Sequence, residues 1–208
     1  MRTLLTKLLL SRAAKPLLFL LCAAPLGWLI YGAVANRLGA NPAEALIRGL
    51  GDLTLRGLLL TLAVTPLREL TGLAALARFR RMLGVFSFVY ASLHLLAYGW
   101  LDMGLDFGDI AVDIAKRPFI LIGFTAWLLM LPLAATSFNR AIKALGAKRW
   151  QTLHKAVYAI GIAGVLHFVW LRGGKNNFAE PTVYAVILAA LLGWRVWRRV
   201  QTKQRGRG

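Results

Sequence analysis

The chain has 208 residues, of which 58% are hydrophobic and only 16% are charged. Soluble domains average roughly 45 to 50% apolar and about 25% charged residues, so this composition excludes an ordinary soluble fold. The formal net charge of +18 would indicate nucleic-acid binding in a soluble protein, but here the basic residues flank apolar runs. The single cysteine, Cys22, lies within the first apolar run. Internal disulfides and thiolate metal clusters are therefore excluded.

Apolar runs recur along the chain, and each has about the length that crosses a hydrocarbon core of roughly 30 Å as a helix. They cover residues 16–34, 49–67, 83–103, 118–135, 154–171 and 181–197. The first run is longer than a signal-peptide core of roughly 7 to 15 residues, so we expect it to remain as a span. The sequence predicts an all-α integral membrane bundle of six transmembrane helices. Residues 1–208 would form one domain with basic tails at 1–15 and 198–208, the second tail lying unfolded on the membrane surface.

Lysine and arginine are concentrated on one side of these spans, which the positive-inside rule assigns to the cytoplasm. That side carries one acid, Glu69, and the following basic residues: Arg2, Lys7, Arg12, Lys15, Arg68, Arg78, Arg80, Arg81, Arg140, Lys143, Lys148, Arg149, Lys155, Arg195, Arg198, Arg199, Lys203, Arg205 and Arg207. The other side carries the remaining acids: Glu44, Asp52, Asp102, Asp106, Asp109, Asp113 and Glu180. Both termini are therefore predicted to be cytoplasmic.

All three histidines, His94, His154 and His167, lie in predicted spans. Ionisable residues are costly there and usually face the bundle interior with a partner. Imidazole is a common ligand of haem iron, and helix bundles build cofactor sites from side chains on facing helices. His94 of the third span and His167 of the fifth lie within roughly 5 Å of the same depth, at about 1.5 Å per residue. These two residues are predicted to hold one haem between them.

His154 precedes His167 by thirteen residues, which is about 20 Å along a straight helix and roughly 140° around it. It cannot share that haem, and it would face the same cavity only if the helix were distorted. Gly161 and Gly164 lie between the two histidines and would allow such a distortion. The alternative is that each histidine is an isolated hydrogen-bonding residue between helices.

Other charged groups are weaker candidates. Arg56 would either pair with a haem propionate or extend to the membrane interface. The cluster of Arg78, Arg80 and Arg81 would hold a flavin phosphate or a quinone head group, or simply reflect the positive-inside rule. The acidic loop from Asp102 to Asp113 lacks the pattern of a calcium loop and is either solvated or a docking surface.

A glycine-rich dinucleotide fingerprint is missing from the sequence, and so is a long soluble segment. The chain is therefore not expected to bind a nicotinamide cofactor in a domain of its own. If it transfers electrons, both the donor and the acceptor must be other molecules.

Several short motifs give the chain a resemblance to a known family. They are NP at 41–42, LAVTPLR at 62–68, RRMLG at 80–84, LHLL at 93–96, KRP at 116–118, LPLAATS at 131–137, RWQTLHK at 149–155 and LH at 166–167. Together they resemble the haem-binding membrane subunit of the bacterial periplasmic methionine-sulfoxide reductase system, the MsrQ/YedZ family of the ferric-reductase-like transmembrane superfamily. The resemblance covers nearly the whole chain.

The resemblance implies a multi-pass protein of the bacterial inner membrane that carries b haem, with FMN as a second candidate cofactor. It implies that electrons come from respiratory quinol or a cytoplasmic flavin reductase. They would pass to a periplasmic molybdenum-cofactor methionine-sulfoxide reductase, a partner in a heterodimer that repairs oxidised periplasmic proteins. His94, His154 and His167 match the family's haem-ligand positions.

One position departs from the wider superfamily, whose two-haem members carry two histidines on the third span and two on the fifth. Here Arg81 occupies the inner position of the third span. This favours one bis-histidine haem and leaves His154 for a second haem, a flavin or an alternate ligand.

We therefore interpret the sequence as a haem b transmembrane electron-transfer subunit without substrate chemistry of its own. Two rival hypotheses are a transporter with a histidine proton relay and a membrane scaffold subunit without redox chemistry.

Overall fold

The computed structural model describes residues 2–174 and 176–205, and these residues form helices joined by short turns. The α-helices are α1 (Arg2–Leu10), α2 (Ala14–Val34), α3 (Pro42–Thr71), α4 (Arg80–Ala97), α5 (Phe107–Lys116), α6 (Pro118–Ala135), α7 (Asn139–Leu145), α8 (Ala147–Leu153), α9 (Ala156–Gly173) and α10 (Ala179–Arg205). A 3₁₀ turn, Ala74–Phe79, precedes α4, and a π-helical turn, Tyr98–Asp102, follows it.

Six segments of the described chain are long and apolar enough to cross a membrane. They are Ala14–Val34, Pro42–Thr71, Ala74–Asp102, Pro118–Ala135, Ala147–Gly173 and Ala179–Thr202. The predicted all-α bundle of six transmembrane helices is confirmed. We call the end that holds residues 71–80, 135–156 and 198–205 the basic end, and the end that holds residues 97–118, 172–174 and 176–180 the acidic end.

Local sequence signals set the limits of α3. Its N-terminus is capped by Asn41, whose side chain accepts a hydrogen bond from the Glu44 amide at 3.1 Å, and Pro42 supplies the first-turn proline that helices favour. Its C-terminus is followed by Gly72 at φ 73°, a left-handed conformation that glycine adopts without steric cost. The helix that results is 30 residues long, and it contacts α2, α4, α9 and α10.

Small residues allow α3 and α4 to approach closely, as is typical of helix packing in membranes. A Cβ atom at Gly57 would lie 2.5 Å from Ser87 Oγ, and Ser87 is completely buried. The Ser87 hydroxyl donates to the carbonyl of Leu83 at 2.8 Å. The core beside this contact includes Leu62, Ile160 and other apolar residues of α3, α6, α9 and α10.

The second basic tail differs from expectation. Residues 198–205 continue α10 instead of remaining unfolded, because extending an existing helix costs far less than starting one. Arg198 also pairs with Glu69 of α3 at 3.0 Å. Residues 206–208 of that tail, Met1 of the first tail and Lys175 lie outside the described residues.

An arginine of α10 completes the hydrogen bonding of α3. Pro66 has no N–H group, so the carbonyl of Leu62, four residues earlier, lacks its usual helical donor. Arg195 donates to this carbonyl from Nη2 and to the Leu191 carbonyl from Nη1. Its guanidinium also lies over the ring of Tyr158. A charged side chain is therefore accommodated inside the bundle by backbone acceptors.

Candidate functional site

Two of the three histidines meet near the acidic end of the bundle. His94 extends from α4 and His167 from α9, and their ring centroids are 6.3 Å apart with the ring planes at 79°. Both rings line one cavity of about 690 Å³. The structure thus brings together the two histidines that the sequence places at the same depth.

Each of these imidazoles is anchored through Nδ1 to a backbone carbonyl of a neighbouring helix. His94 Nδ1 lies 2.8 Å from the Ile47 carbonyl oxygen of α3, and His167 Nδ1 lies 2.6 Å from that of Phe119 in α6. Because a carbonyl oxygen only accepts hydrogen bonds, both Nδ1 atoms must carry a proton and donate it. The lone pair of each neutral ring then resides on Nε2, the form of imidazole that binds a metal.

A glycine faces each ring from the helix that provides the carbonyl. Gly51 lies four residues after Ile47, and a Cβ at this position would be 3.2 Å from His94 Cε1. Gly123 lies four residues after Phe119, and a Cβ there would be 2.8 Å from His167 Nδ1. These glycines could not be identified from the sequence, because residue spacing within one helix does not show which other helix it packs against.

The distance between the two rings suits a metal ion between them. Metal–imidazole bonds are about 2.0–2.1 Å long, and a ring centroid lies about 1.1 Å from its nitrogen, so imidazoles on opposite sides of one ion have centroids roughly 6.2–6.4 Å apart. The observed 6.3 Å agrees with this value. The cavity volume also lies within the range of roughly 300–1,000 Å³ found for cofactor sites. His94 and His167 could therefore hold a haem iron between them.

Three arginines line the same cavity at the acidic end: Arg48, Arg117 and Arg172. Arg117 Nε is 2.8 Å from an Asp113 carboxylate oxygen, Arg172 Nη2 is 2.7 Å from one of Glu180, and Arg48 pairs with Glu44. A guanidinium has five N–H donors, so each arginine retains capacity for a further carboxylate. The rim of the cavity thus offers guanidinium donors to an anionic group of a ligand, beside the carboxylates of Asp52 and Asp102 that also line it.

Arg56, the sequence candidate for a propionate partner, points instead toward α10. Its side chain is exposed, and Nε donates to the Tyr184 hydroxyl at 2.8 Å. Arg56 does not line the larger cavity, although its neighbours Thr54 and Leu55 do. The structure therefore does not place Arg56 at the cavity, and its exposed side chain is compatible with the other predicted role, extension to the membrane interface.

His154 lies at a second cavity of about 300 Å³, toward the basic end. Its ring stacks on Trp150, with centroids 4.0 Å apart, and its Nε2 is 3.1 Å from Thr136 Oγ1. That hydroxyl lies 2.6 Å from the Pro132 carbonyl oxygen and donates its only proton there, so it accepts from His154 Nε2. His154 therefore carries its proton on the nitrogen that is free in the other two histidines.

His154 and His167 face different cavities, and the helix is not distorted at the two glycines that would have allowed them to share one. The α8 helix ends at Leu153, and α9 begins at Ala156 and continues through both Gly161 and Gly164. A Cβ at Gly161 would meet Leu188 and Leu62 at 3.3 and 3.4 Å. These glycines serve close helix packing, whereas the turn at His154 itself directs that ring into the second cavity.

The basic cluster after α3 divides between two environments. Arg80 and Arg81 line the second cavity, and Arg81 Nη1 also donates to Asn139 Oδ1 at 2.6 Å. Arg78 instead donates to the Leu9 carbonyl of α1 at 2.8 Å. Two of the three guanidinium groups are therefore placed to meet a ligand in that cavity.

An apolar partition separates the two cavities. Leu58, Met130 and Ile160 line both of them, and their exposed fractions are 4%, 5% and 0%. The bundle therefore contains two chemically different sites, stacked along its axis, with three apolar side chains between them.

Comparison with known proteins places this architecture in a family. The family described as "Ferric reductase like transmembrane component" matches residues 50–165. A protein of Polaromonas naphthalenivorans (strain CJ2), named "Protein-methionine-sulfoxide reductase heme-binding subunit MsrQ", is 65% identical over 191 residues, which are 92% of this chain and 87% of the relative. This chain belongs to the MsrQ family. The resemblance drawn from the sequence motifs is confirmed.

Other MsrQ proteins match with similar coverage. The one from Azospira oryzae is 54% identical over 189 residues, covering 91% of this chain and 81% of the relative. The one from Bordetella pertussis is 54% identical, covering 89% and 91%. No solved structure gives a significant match. Membership of this family and the six spans make the chain a multi-pass membrane protein.

Proposed function

We propose that this chain is a haem b transmembrane electron-transfer subunit of a methionine-sulfoxide reductase system. The observation that supports it best is the pair His94 and His167, with ring centroids 6.3 Å apart and both Nδ1 atoms anchored to carbonyls. Relatives that are 65% and 54% identical are named as haem-binding subunits of such a system. A haem supplies one-electron redox chemistry when bound, whereas the protein supplies ligands, orientation and an apolar enclosure.

The arginines at the acidic end would bind the haem propionates. Arg172 is the most buried of the three, with 18% of its side chain exposed, and charge-assisted bonds are strongest where water is limited. Its pairing with Glu180 holds the guanidinium at the cavity rim. Arg48 and Arg117 would complete a basic edge around the two carboxylates.

His154 is assigned to a separate role in the second cavity. That cavity has less than half the volume of the first, and its two guanidinium groups suit a phosphate. Arg80 and Arg81 would hold the FMN phosphate, and the stacked Trp150 and His154 rings would offer an aromatic wall. This placement leaves the chain with one bis-histidine haem and one flavin site.

We propose that the basic end faces the cytoplasm and the acidic end the periplasm of the bacterial inner membrane. Electrons would enter from the quinone pool or a cytoplasmic flavin reductase at the basic end. They would leave at the acidic end to a periplasmic molybdenum-cofactor methionine-sulfoxide reductase. Asp109 of α5 and Asp102 are exposed there and suit electrostatic docking.

The acidic loop contributes less to docking than its composition suggests. Asp106 caps α5, its Oδ1 accepting from the amides of Gly108 and Asp109 at 2.9 and 3.0 Å. Asp113 is held by Arg117 and by the Tyr98 hydroxyl at 2.6 Å, with only 12% of its side chain exposed. We therefore place the docking charge on Asp102 and Asp109.

The test is haem content of purified variants, measured by the Soret band per polypeptide. His94→Ala and His167→Ala should each lose most of the haem, because either change removes one of the two imidazoles that would hold it. His154→Ala should keep a normal bis-histidine spectrum and lose bound flavin instead. The proposal would be refuted if the wild-type protein bound no haem even when haem was supplied during expression. It would also be refuted if His154→Ala lost haem while His94→Ala and His167→Ala retained it.

A further inference from the structure

His94 and His167 are each supported by the same arrangement on a neighbouring helix, a backbone carbonyl followed four residues later by a glycine. On α3 the Ile47 carbonyl accepts from His94 Nδ1 at 2.8 Å, and Gly51 follows four residues later. On α6 the Phe119 carbonyl accepts from His167 Nδ1 at 2.6 Å, and Gly123 follows four residues later. The supports therefore correspond in both chemistry and spacing.

The spacing has a geometric reason. Residues n and n+4 lie one above the other on the same face of a helix, and the carbonyl of residue n points toward residue n+4. A ring that reaches that carbonyl from another helix must therefore pass over residue n+4. Only glycine leaves room for the ring at that point, because it has no Cβ atom.

Resting on the proposed bis-histidine haem, we propose that Gly51 and Gly123 are positioning residues that fix the two imidazole planes nearly perpendicular to each other. The carbonyl sets the direction of each Nδ1–H bond, and the glycine lets the ring lie flat enough to make it. The planes stand at 79° as a result. The angle between the ring planes cannot be predicted from the residues around either histidine, since both supports come from other helices.

Near-perpendicular planes have an electronic consequence for a bound ferric haem. The filled π orbital of each axial imidazole raises the iron d orbital that lies perpendicular to its ring. Parallel rings raise one orbital and separate the pair, whereas perpendicular rings raise both equally. The unpaired electron then occupies a nearly degenerate pair, and the low-spin signal in electron paramagnetic resonance becomes highly anisotropic. The Nδ1–H bonds also increase the donor strength of the imidazoles, which favours the ferric state.

The experiment is low-temperature electron paramagnetic resonance of oxidised, haem-loaded wild-type protein and of the variants Gly51→Ala and Gly123→Ala. The wild type should give the highly anisotropic signal. Gly123→Ala should shift it toward a rhombic spectrum with a lower largest g value, because its new methyl group would lie 2.8 Å from His167 Nδ1. Gly51→Ala should shift it less, since the nearest ring atom is 3.2 Å away. Both variants should raise the midpoint potential, because the displaced rings lose part of the Nδ1–H bond.

Gly193→Ala is the matched control, because a Cβ at this position on α10 would meet nothing within 4 Å. Alanine is the better helix former, so any loss in the two test variants comes from contact with the rings. If Gly123→Ala fails to retain haem, Gly51→Ala alone decides the matter. Haem-loaded Gly51→Ala with the wild-type signal and potential overturns this inference, as does a wild-type signal typical of parallel rings. A wild-type protein that takes up no haem overturns the proposed function itself.

Discussion

The bond between Arg195 and the Leu62 carbonyl allows a quantitative test of how α10 stabilises the bundle. Pro66 removes the helical donor of this carbonyl, and Leu62 is only 1% exposed, so Arg195 supplies a donor that water cannot replace. Replacing Arg195 with methionine keeps an apolar stem but leaves a buried acceptor without its donor. This should lower the free energy of unfolding by about 1–3 kcal/mol.

The cause can be isolated with a double-mutant cycle. In a Pro66→Ala background the amide of residue 66 can again donate to the Leu62 carbonyl, so Arg195→Met should cost at least about 1 kcal/mol less than in the wild type. The other contacts of Arg195, with Leu191 and Tyr158, are lost equally in both backgrounds and cancel.

The assay is unfolding of the purified protein in mixed micelles with increasing dodecyl sulfate, followed by circular dichroism. Arg199→Met, an exposed substitution on the same helix, is the control and should change stability by less than about 0.5 kcal/mol. A coupling energy within about 0.3–0.5 kcal/mol of zero would be ordinary additivity and would refute the role assigned to Arg195.

Three further predictions concern orientation, docking and haem binding. Cysteines placed at Asp106 and Lys143 should label from the periplasm and the cytoplasm respectively, and periplasmic labelling at Lys143 would reverse the proposed direction of electron flow. Reoxidation of the reduced haem by the purified periplasmic reductase, with oxidised methionine present, should be slower in Asp109→Asn and at high salt. The salt effect is expected because the Debye length falls from about 10 Å at 0.1 M to about 3 Å at 1 M. A reoxidation rate that depends on neither the substitution nor the salt would exclude docking at this loop. Arg172→Gln should weaken haem binding about tenfold in titrations, as expected for the loss of about 1.4 kcal/mol. Arg56→Gln is the control and should leave haem affinity unchanged. Equal effects of the two substitutions would argue against propionate binding at the cavity rim.

Several features could be predicted from the sequence because they depend on local periodicity. Six spans follow from apolar runs of sufficient length, and the shared depth of His94 and His167 follows from their positions along their spans, at about 1.5 Å per residue. Both arguments need only the position of a residue along its own helix.

The other features depend on which faces of two helices meet, and this was not accessible from spacing. Arg56 is at a suitable depth but points to α10, whereas Arg172 points into the cavity. Gly51 and Gly123 acquire a role only once α3 faces His94 and α6 faces His167. The helical form of residues 198–205 continues α10 beyond the apolar run, with the ion pair of Arg198 and Glu69 beside it, and apolar periodicity predicts neither feature.

The partition formed by Leu58, Met130 and Ile160 bears on energy conservation. Both cavities contain ionisable groups, Asp52 in the larger and Arg80 in the smaller, so a continuous line of polar groups between them would carry protons as well as electrons. The three side chains have no N–H or O–H group through which a proton could hop, whereas an electron can tunnel across such a short apolar layer. The partition therefore lets electrons pass between the two sites without opening a path for protons through the bundle.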